Sequence, residues 1–455
     1  MLYQEALDYI NAVRFSTWNL GLSRITALME ALGNPQKNLR FVHVGGSNGK
    51  GSTCAMTERI LREAGFKTGL FPSPYIEDFR ERIQCCGELI PEEALCRITE
   101  RVKDIADRME DHPTHFELVT AIGLVYFAEM QCDLVVLEVG LGGEFDATNV
   151  IDAPEVSAFV HLGLEHTEYL GNSLTEIAET KSGIVKEGCD VVSYENDEEV
   201  MRVFARACKE KRVPLHVADF SRLEVRESTL SGQRFLLHAP DENNPKDSIP
   251  ASCRIPDGTA FTLPLAGEYQ LHNCVTALTI IEVLRKRGYH IPAEAVTSGI
   301  AKAAWPARFE VLNRDPLFIL DGGHNPQCAE ALAESIALHV PGARERGVTF
   351  LTGVLKDKDY PGIFDHLAPL AHSFVCLTPD SARALPAEEL AAYLRARGLK
   401  ACACEKAESG IRKSLADDLP VVAFGSLYLA GEIRQTLPHI LPFRGGMKAN
   451  PSDSA

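Results

Sequence analysis

Between an apolar run, Phe41 to Val44, and a helical pattern, Thr53 to Glu63, lies the stretch Val44-Gly-Gly-Ser-Asn-Gly-Lys-Gly-Ser-Thr53. A glycine-rich turn from strand to helix confines this region to one kind of unit, in which backbone N–H groups point inward and the helix presents its positive end. Such a loop solvates phosphate oxygens. Gly46, Asn48, Gly49, Lys50, Gly51 and Ser52 therefore form a candidate nucleotide cradle, with Lys50 reaching the β- and γ-phosphates and the hydroxyl of Ser52 or Thr53 placed to hold magnesium. The spelling departs from G-x-x-x-x-G-K-[ST]: Gly51 separates the lysine from the hydroxyl, and Val44 stands where the first glycine would be. An ordinary glycine-rich turn is the alternative, and the order strand, loop, helix argues against it.

The same alternation continues along the chain. Short runs rich in Val, Ile and Phe (FVHV, DLVVLEV, VSAFVHL, DVVSY) alternate with helical patterns, which predicts an α/β fold with a parallel sheet covered by helices. DLVVLEV is apolar on both faces and should be central. Between Leu223 and Leu265 shorter alternating segments with Pro and Asp predict an antiparallel patch, followed by a helix from Glu268 to Lys286. After Trp305-Pro-Ala-Arg308 a second set begins: FEVL, LFILDGGHN, VTFLTG, SFVCLTP and LPVVAFGS. Each is expected to precede a helix, giving a smaller doubly wound domain. The predicted organisation is an ATP-binding domain over 1–304, a second domain over 305–440 and a disordered tail over 441–455.

At 455 residues two domains are the natural expectation. Lys plus Arg total 46 against 63 Asp plus Glu, a formal charge of −17. That balance argues against nucleic acid or an anionic membrane as the main partner. The amino terminus carries acids early and lacks the basic start and cleavage site of a signal peptide, and no apolar run approaches membrane-spanning length. The thirteen cysteines have no zinc-type spacing and read as buried free thiols in a reducing cytosol.

Ligands of open parallel sheets gather beyond the carboxyl ends of the strands. DLVVLEV ends near Glu138, which is either a magnesium ligand or a charged residue at a sheet edge; glutamate is a poor strand-interior residue, which favours the ligand. After VSAFVHL comes His166 between Glu165 and Glu168, a group suited to a second divalent cation. Ser173-x-x-Glu176 is a capping box that starts a helix. On spacing alone Lys181, which falls on that helix, is a solvated lysine. In the second set, Asp321-Gly-Gly-His-Asn-Pro326 places an acid and an imidazole at a strand end, an expected inter-domain site for a ribose, phosphate or carboxylate. A satisfied Asp turn is the alternative. Ser426 opens a helix after a strand and could bind a carboxylate there.

Twelve motifs in order, among them TWNLGLSRI, VHVGGSNGKGST, SPYIEDFRERI, LEVGLGGEFDATN, GLEHTEYLG, IAETKSGIVK, LAGEYQLHN, WPARFEVL, DGGHNP and GSLYLAGEIR, run almost end to end. In these the chain resembles the folylpolyglutamate synthase family, including its bifunctional dihydrofolate synthase form, within the Mur ligase superfamily. The resemblance implies a P-loop ATPase domain and a glutamate-ligase domain. It also implies a reaction in which ATP phosphorylates a folate carboxylate and glutamate attacks the acyl phosphate. Its implied ligands are ATP, one or two Mg²⁺ ions, folate or dihydropteroate, and L-glutamate, acting on a monomer.

By the same resemblance Ser52 and Glu138 would hold one magnesium, and His166 with Glu138 a second. Lys181 matches a lysine carbamylated in related ligases. Asn273, Arg308 and Asp321 match nucleotide contacts, and Arg82, His324 and Ser426 positions near the incoming glutamate. Lys50, Lys181, His166 and His324 are thus the expected catalytic set. Four positions depart from the family pattern: Glu144 for arginine, Glu165 for aspartate, Tyr269 for histidine and Ala307 for glycine. The first reverses a charge. The competing expectations are a Mur-type ligase acting on another carboxylate and a nucleotide-binding sensor without catalysis; the latter predicts erosion of Lys50, Glu138, His166 or Lys181, all of which are present.

Overall fold

The computed structural model describes residues 1–13, 21–240 and 249–441. The start of the TWNLGLSRI motif and, apart from Leu441, the expected tail lie outside them. The chain divides into two compact units, the first ending at Trp305 and the second starting at Pro306.

The first unit is built on eight strands: β1 (Phe41–Gly45), β2 (Thr68–Phe71), β3 (Gln84–Cys85), β4 (Glu88–Leu89), β5 (Leu134–Glu138), β6 (Val156–Phe159), β7 (Asp190–Ser193) and β8 (Leu215–Val217). Their order is β4-β3-β2-β5-β1-β6-β7-β8. β2, β5, β1, β6, β7 and β8 run parallel, and β3 and β4 add an antiparallel edge. β5 is therefore central, as its two-faced apolarity requires.

Strand alternation sorts side chains between two cores. Val42 and Val44 of β1 face a cluster formed with helices Lys50–Glu63 and Glu268–Lys286, whereas Phe41 faces a cluster formed with helix His115–Glu129. The helix carrying Lys181, Leu174–Ser182, starts at the expected capping box: Ser173 Oγ accepts from the Glu176 N–H at 3.2 Å, and Glu176 Oε2 accepts from the Ser173 N–H at 3.1 Å. The antiparallel patch is a separate three-stranded sheet of β9 (Leu223–Thr229), β10 (Gly232–Leu237) and β11 (Thr259–Leu263).

The second unit holds β12 (Glu310–Arg314), β13 (Leu317–Leu320), β14 (Val348–Thr352), β15 (Ala371–Cys376), β16 (Ala401–Ala403) and β17 (Val421–Phe424), in the order β12-β13-β17-β14-β15-β16. One expectation is corrected. FEVL does not lead into a helix; it turns directly through Asp315-Pro316 and pairs antiparallel with LFIL. The short strand β16 was not anticipated, because three residues, Ala-Cys-Ala, carry too little periodicity to stand out. The remaining strands of this sheet pair in parallel.

Candidate active site

The glycine loop leaves the carboxyl end of β1 and enters helix Lys50–Glu63. Two of its glycines are required by shape. Gly46 has φ +135° and a Cβ there would lie 2.3 Å from Val160 Cγ2; Gly49 has φ +99° and a Cβ would lie 2.2 Å from Asn273 Oδ1. Gly51 is pressed against the Trp305 ring, 2.7 Å from a built Cβ. Lys50 folds back over the loop, its Nζ donating to the carbonyls of Gly46 at 3.0 Å and Ser47 at 2.9 Å. Asn48 bridges to His161 on the chain leaving β6.

Lys181 is not the solvated lysine that spacing suggested. It is 2% exposed, and its Nζ donates to the Gly46 carbonyl at 2.9 Å and to Glu165 Oε1 at 3.0 Å. Lys50 and Lys181 thus share the Gly46 carbonyl. Burial lowers the basicity of Lys181, and Glu165 opposes that shift while Lys50 adds to it. Burial likewise disfavours ionised Glu165, but the charges of Lys181, then Lys50 and His166, outweigh it and hold the carboxyl well below its usual range. Motif spacing could not reveal this pair, since the partners are separated by sixteen residues and meet only when the turn after β6 folds over the helix.

Glu138 ends β5, is 3% exposed and accepts from the Ser73 N–H at 3.0 Å. It lies inside the sheet rather than at its edge. Ser52, also buried, accepts from Gln270 Nε2 at 3.2 Å, and Gln270 Oε1 accepts from Asn273 Nδ2 at 3.2 Å. Gln270 was missed by sequence reasoning, although it is one turn from Asn273 on the same helix. His166 has left-handed backbone, φ 48°, and caps the short helix Thr167–Leu170. No group of three His, Cys, Asp or Glu side chains gathers as a metal nest among the described residues. A buried hydroxyl and one strand-end carboxylate nonetheless suit magnesium, which takes few protein ligands and fills its shell with waters and phosphate oxygens.

Glu144 is exposed, but its backbone is fixed: its N–H donates to the Thr180 carbonyl at 3.0 Å, and a Cβ on Gly183 would lie 2.4 Å from Glu144 Cβ. The reversed charge therefore sits on the segment packed against the helix of Lys181. Arg82 is buried, with its guanidinium carbon 5.4 Å from the Tyr75 ring centroid and 6.0 Å from that of Phe79. All thirteen cysteines are free, but not all are buried as expected: Cys86, Cys96, Cys253, Cys328, Cys402 and Cys404 are half-buried.

Within the second unit, Asp321 is a satisfied turn residue, accepting from the Phe309 N–H at 2.8 Å and the Gly323 N–H at 2.7 Å. It ties the chain near Arg308 to the end of β13. Arg308 Nη1 donates to the Ala307 carbonyl at 3.2 Å, and His324 Nδ1 lies 3.0 Å from the Gly322 carbonyl. Ser426 Oγ caps helix Leu427–Ile440 by accepting from the Leu429 N–H at 3.1 Å. Ala307 adopts φ +53°, which explains why glycine suits that position.

A parallel sheet with a lysine-bearing glycine loop at its strand ends, joined to a second α/β unit, defines a P-loop ligase architecture. The Mur ligase middle domain matches residues 44–281, and the Mur ligase, glutamate ligase domain matches residues 307–426. Folylpolyglutamate synthase of Lacticaseibacillus casei is 34% identical over 450 residues, covering 96% of this chain and 99% of that protein. Dihydrofolate synthase/folylpolyglutamate synthase of Bacillus subtilis is 34% identical over 396 residues, covering 85% and 88%. A solved folylpolyglutamate synthase complex with AMPPCP and folate aligns with a TM-score of 0.79 at 31% identity, covering 96% of this chain and 100% of that one. The chain belongs to the folylpolyglutamate synthase/dihydrofolate synthase family of Mur ligases.

Proposed function

We propose that this protein is an ATP-dependent ligase that adds L-glutamate to a folate carboxylate, and that it also accepts dihydropteroate. The observation that carries the reading is the cluster at the Gly46 carbonyl, to which Lys50 and Lys181 both donate while Lys181 pairs with Glu165, on a glycine loop that leaves a strand and enters a helix. In the reaction an acceptor carboxylate oxygen attacks the γ-phosphorus, and the bond from that phosphorus to the β–γ bridging oxygen breaks to release ADP. The glutamate nitrogen then attacks the acyl carbon, the C–O bond to phosphate breaks, and the nitrogen loses its proton. A carboxylate is a poor electrophile until its oxygen can leave as phosphate, and the charge growing on the phosphoryl oxygens calls for fixed cations.

Lys50 serves the β- and γ-phosphates in this reading, while Asn273, Arg308 and Asp321 serve the nucleotide. Arg82, His324 and Ser426 orient the incoming glutamate. Ser52 and Glu138 would hold one magnesium ion, and His166 with Glu138 a second; bound magnesium supplies neutralisation of phosphate charge. Carbamylation of Lys181 would turn its cation into an anion and would require Glu165 to turn away, since two carboxylates would otherwise meet. The protein acts as a cytoplasmic monomer, with no nucleic-acid or membrane partner. Acceptor labelled with ¹⁸O in its carboxylate tests the acyl phosphate: one labelled oxygen should appear in the released phosphate, and unlabelled phosphate would rule that intermediate out.

A further inference from the structure

His43 lies on β1, two residues before the strand's end at Gly45, and is wholly buried. Its Nε2 is 2.9 Å from Thr148 Oγ1, and Thr148 Oγ1 in turn donates to Asp146 Oδ1. A hydroxyl has one proton to give. With that proton committed to Asp146, His43 must be the donor to Thr148, so its ring carries hydrogen on Nε2. Nδ1 is bare, and it is buried without a hydrogen-bond partner. The ring is neutral, since burial first and the charge of Lys186 second hold its pKa down at about 3.

The far end of this chain closes a turn that touches the proposed catalytic groups. Asp146 Oδ2 accepts from the Leu141 N–H at 2.8 Å, and Oδ1 accepts from the Thr148 N–H at 3.0 Å, so one carboxylate staples the loop that begins just after Glu138. Asn149 Nδ2 donates to the carbonyls of Glu144 at 3.0 Å and Gly183 at 3.2 Å, joining the same loop to the residues that follow Lys181. Lys186 Nζ secures the end of the turn on the carbonyls of Asn149, at 2.9 Å, and Ile151. A hydrogen-bonded line therefore runs from the strand that aims the phosphate loop, through His43, Thr148 and Asp146, to the backbone beside Glu138 and Lys181.

We propose that His43 is a positioning residue for the ligase reaction: its Nε2–H, acting through Thr148 and Asp146, holds the Gly140–Asn149 turn in register with the phosphate loop. Misplacement of reacting groups by about 1 Å costs on the order of 10²-fold in rate, so a residue that touches no substrate can govern turnover. The inference rests on the ligase reading given above.

The test compares His43→Phe, which keeps a flat ring and deletes the donor, with His43→Gln, whose side-chain amide retains one. Kinetics with ATP, glutamate and tetrahydrofolate should give a kcat lowered roughly 10-fold or more in His43→Phe with KM for ATP within about 2-fold of wild type, and recovery of most of that loss in His43→Gln. Adding His43→Phe to Thr148→Val should cost nothing further, as for two members of one line. Nitrogen NMR of the wild-type imidazole should find the proton on Nε2. Equal kcat in wild type and His43→Phe, equal loss in both variants, additive loss with Thr148→Val, or a proton on Nδ1 would each overturn the inference. The NMR reading needs no turnover. Silence of wild type itself would instead defeat the ligase reading, so the two failures are distinguishable.

Discussion

Lys181 Nζ and Glu165 Oε1 meet at 3.0 Å with both side chains removed from solvent, 2% and 12% exposed, and Lys181 Nζ also donates to the Gly46 carbonyl of the glycine loop. A buried pair of this kind is costly to break from one side, because the abandoned charge has neither water nor partner.

Lys181→Ala should therefore do two things. Turnover should fall by about 10²-fold or more, the scale for losing one preorganised electrostatic donor, while ATP still binds. Stability in urea should drop by about 3 kcal/mol from the stranded Glu165. Wild-type turnover would refute the catalytic role, and unchanged stability would refute the buried pair.

Acid should destabilise the protein in two stages. Burial pushes the pKa values of both His43 and His115 down to about 3, with Lys186 and Arg82 respectively adding to the effect. The unfolded chain takes up these protons below about pH 6.5, so stability should begin to fall there. Glu165 and Asp190 are both held below the usual carboxylate range: for each, burial opposes ionisation, and it is outweighed by Lys181 in the first case and by His216, Lys286 and Arg287 in the second. The stability these carboxylates contribute is present above an unfolded pKa near 4 and is lost as pH falls further. Urea midpoints measured from pH 8 to 3 should show both the early decline and the steeper one; a midpoint flat down to pH 4 would contradict the histidine assignment.

Gly49→Ala should weaken nucleotide binding strongly. Its φ of +99° disfavours any side chain, and the added methyl would displace the Asn273 amide. Calorimetric titration with a non-hydrolysable ATP analogue checks this, and wild-type affinity would show that the loop is not the cradle.

How much of this could be read from the chain depends on distance along it. The glycine turn from strand to helix, central β5, the antiparallel patch and the Ser173 capping box are local patterns of glycine, apolar period and capping chemistry, and they appear where those patterns point. What stayed hidden was relational. Lys181 reads as a surface lysine until Glu165 folds onto it, and the line from His43 to Asp146 joins residues a hundred positions apart. The hairpin of β12 and β13 departs from the expected strand–helix alternation because the two-residue Asp315-Pro316 connection is too short to hold a helix.

Ala307→Gly should stabilise the second unit by about 1 kcal/mol. Alanine at φ +53° pays the left-handed penalty that glycine avoids, and the position is wholly buried, with its N–H held by Glu310 at 2.8 Å. Thermal or urea denaturation would register the gain, and a loss would mean that the methyl's packing outweighs the backbone strain.

The most direct test of the proposed function is ADP release by the purified protein with ATP, magnesium and glutamate, run in parallel with tetrahydrofolate, with dihydropteroate and with no acceptor. Turnover should require glutamate and appear with both acceptors. Release that ignores the acceptor, silence with both, or turnover with tetrahydrofolate alone would contradict the proposed function.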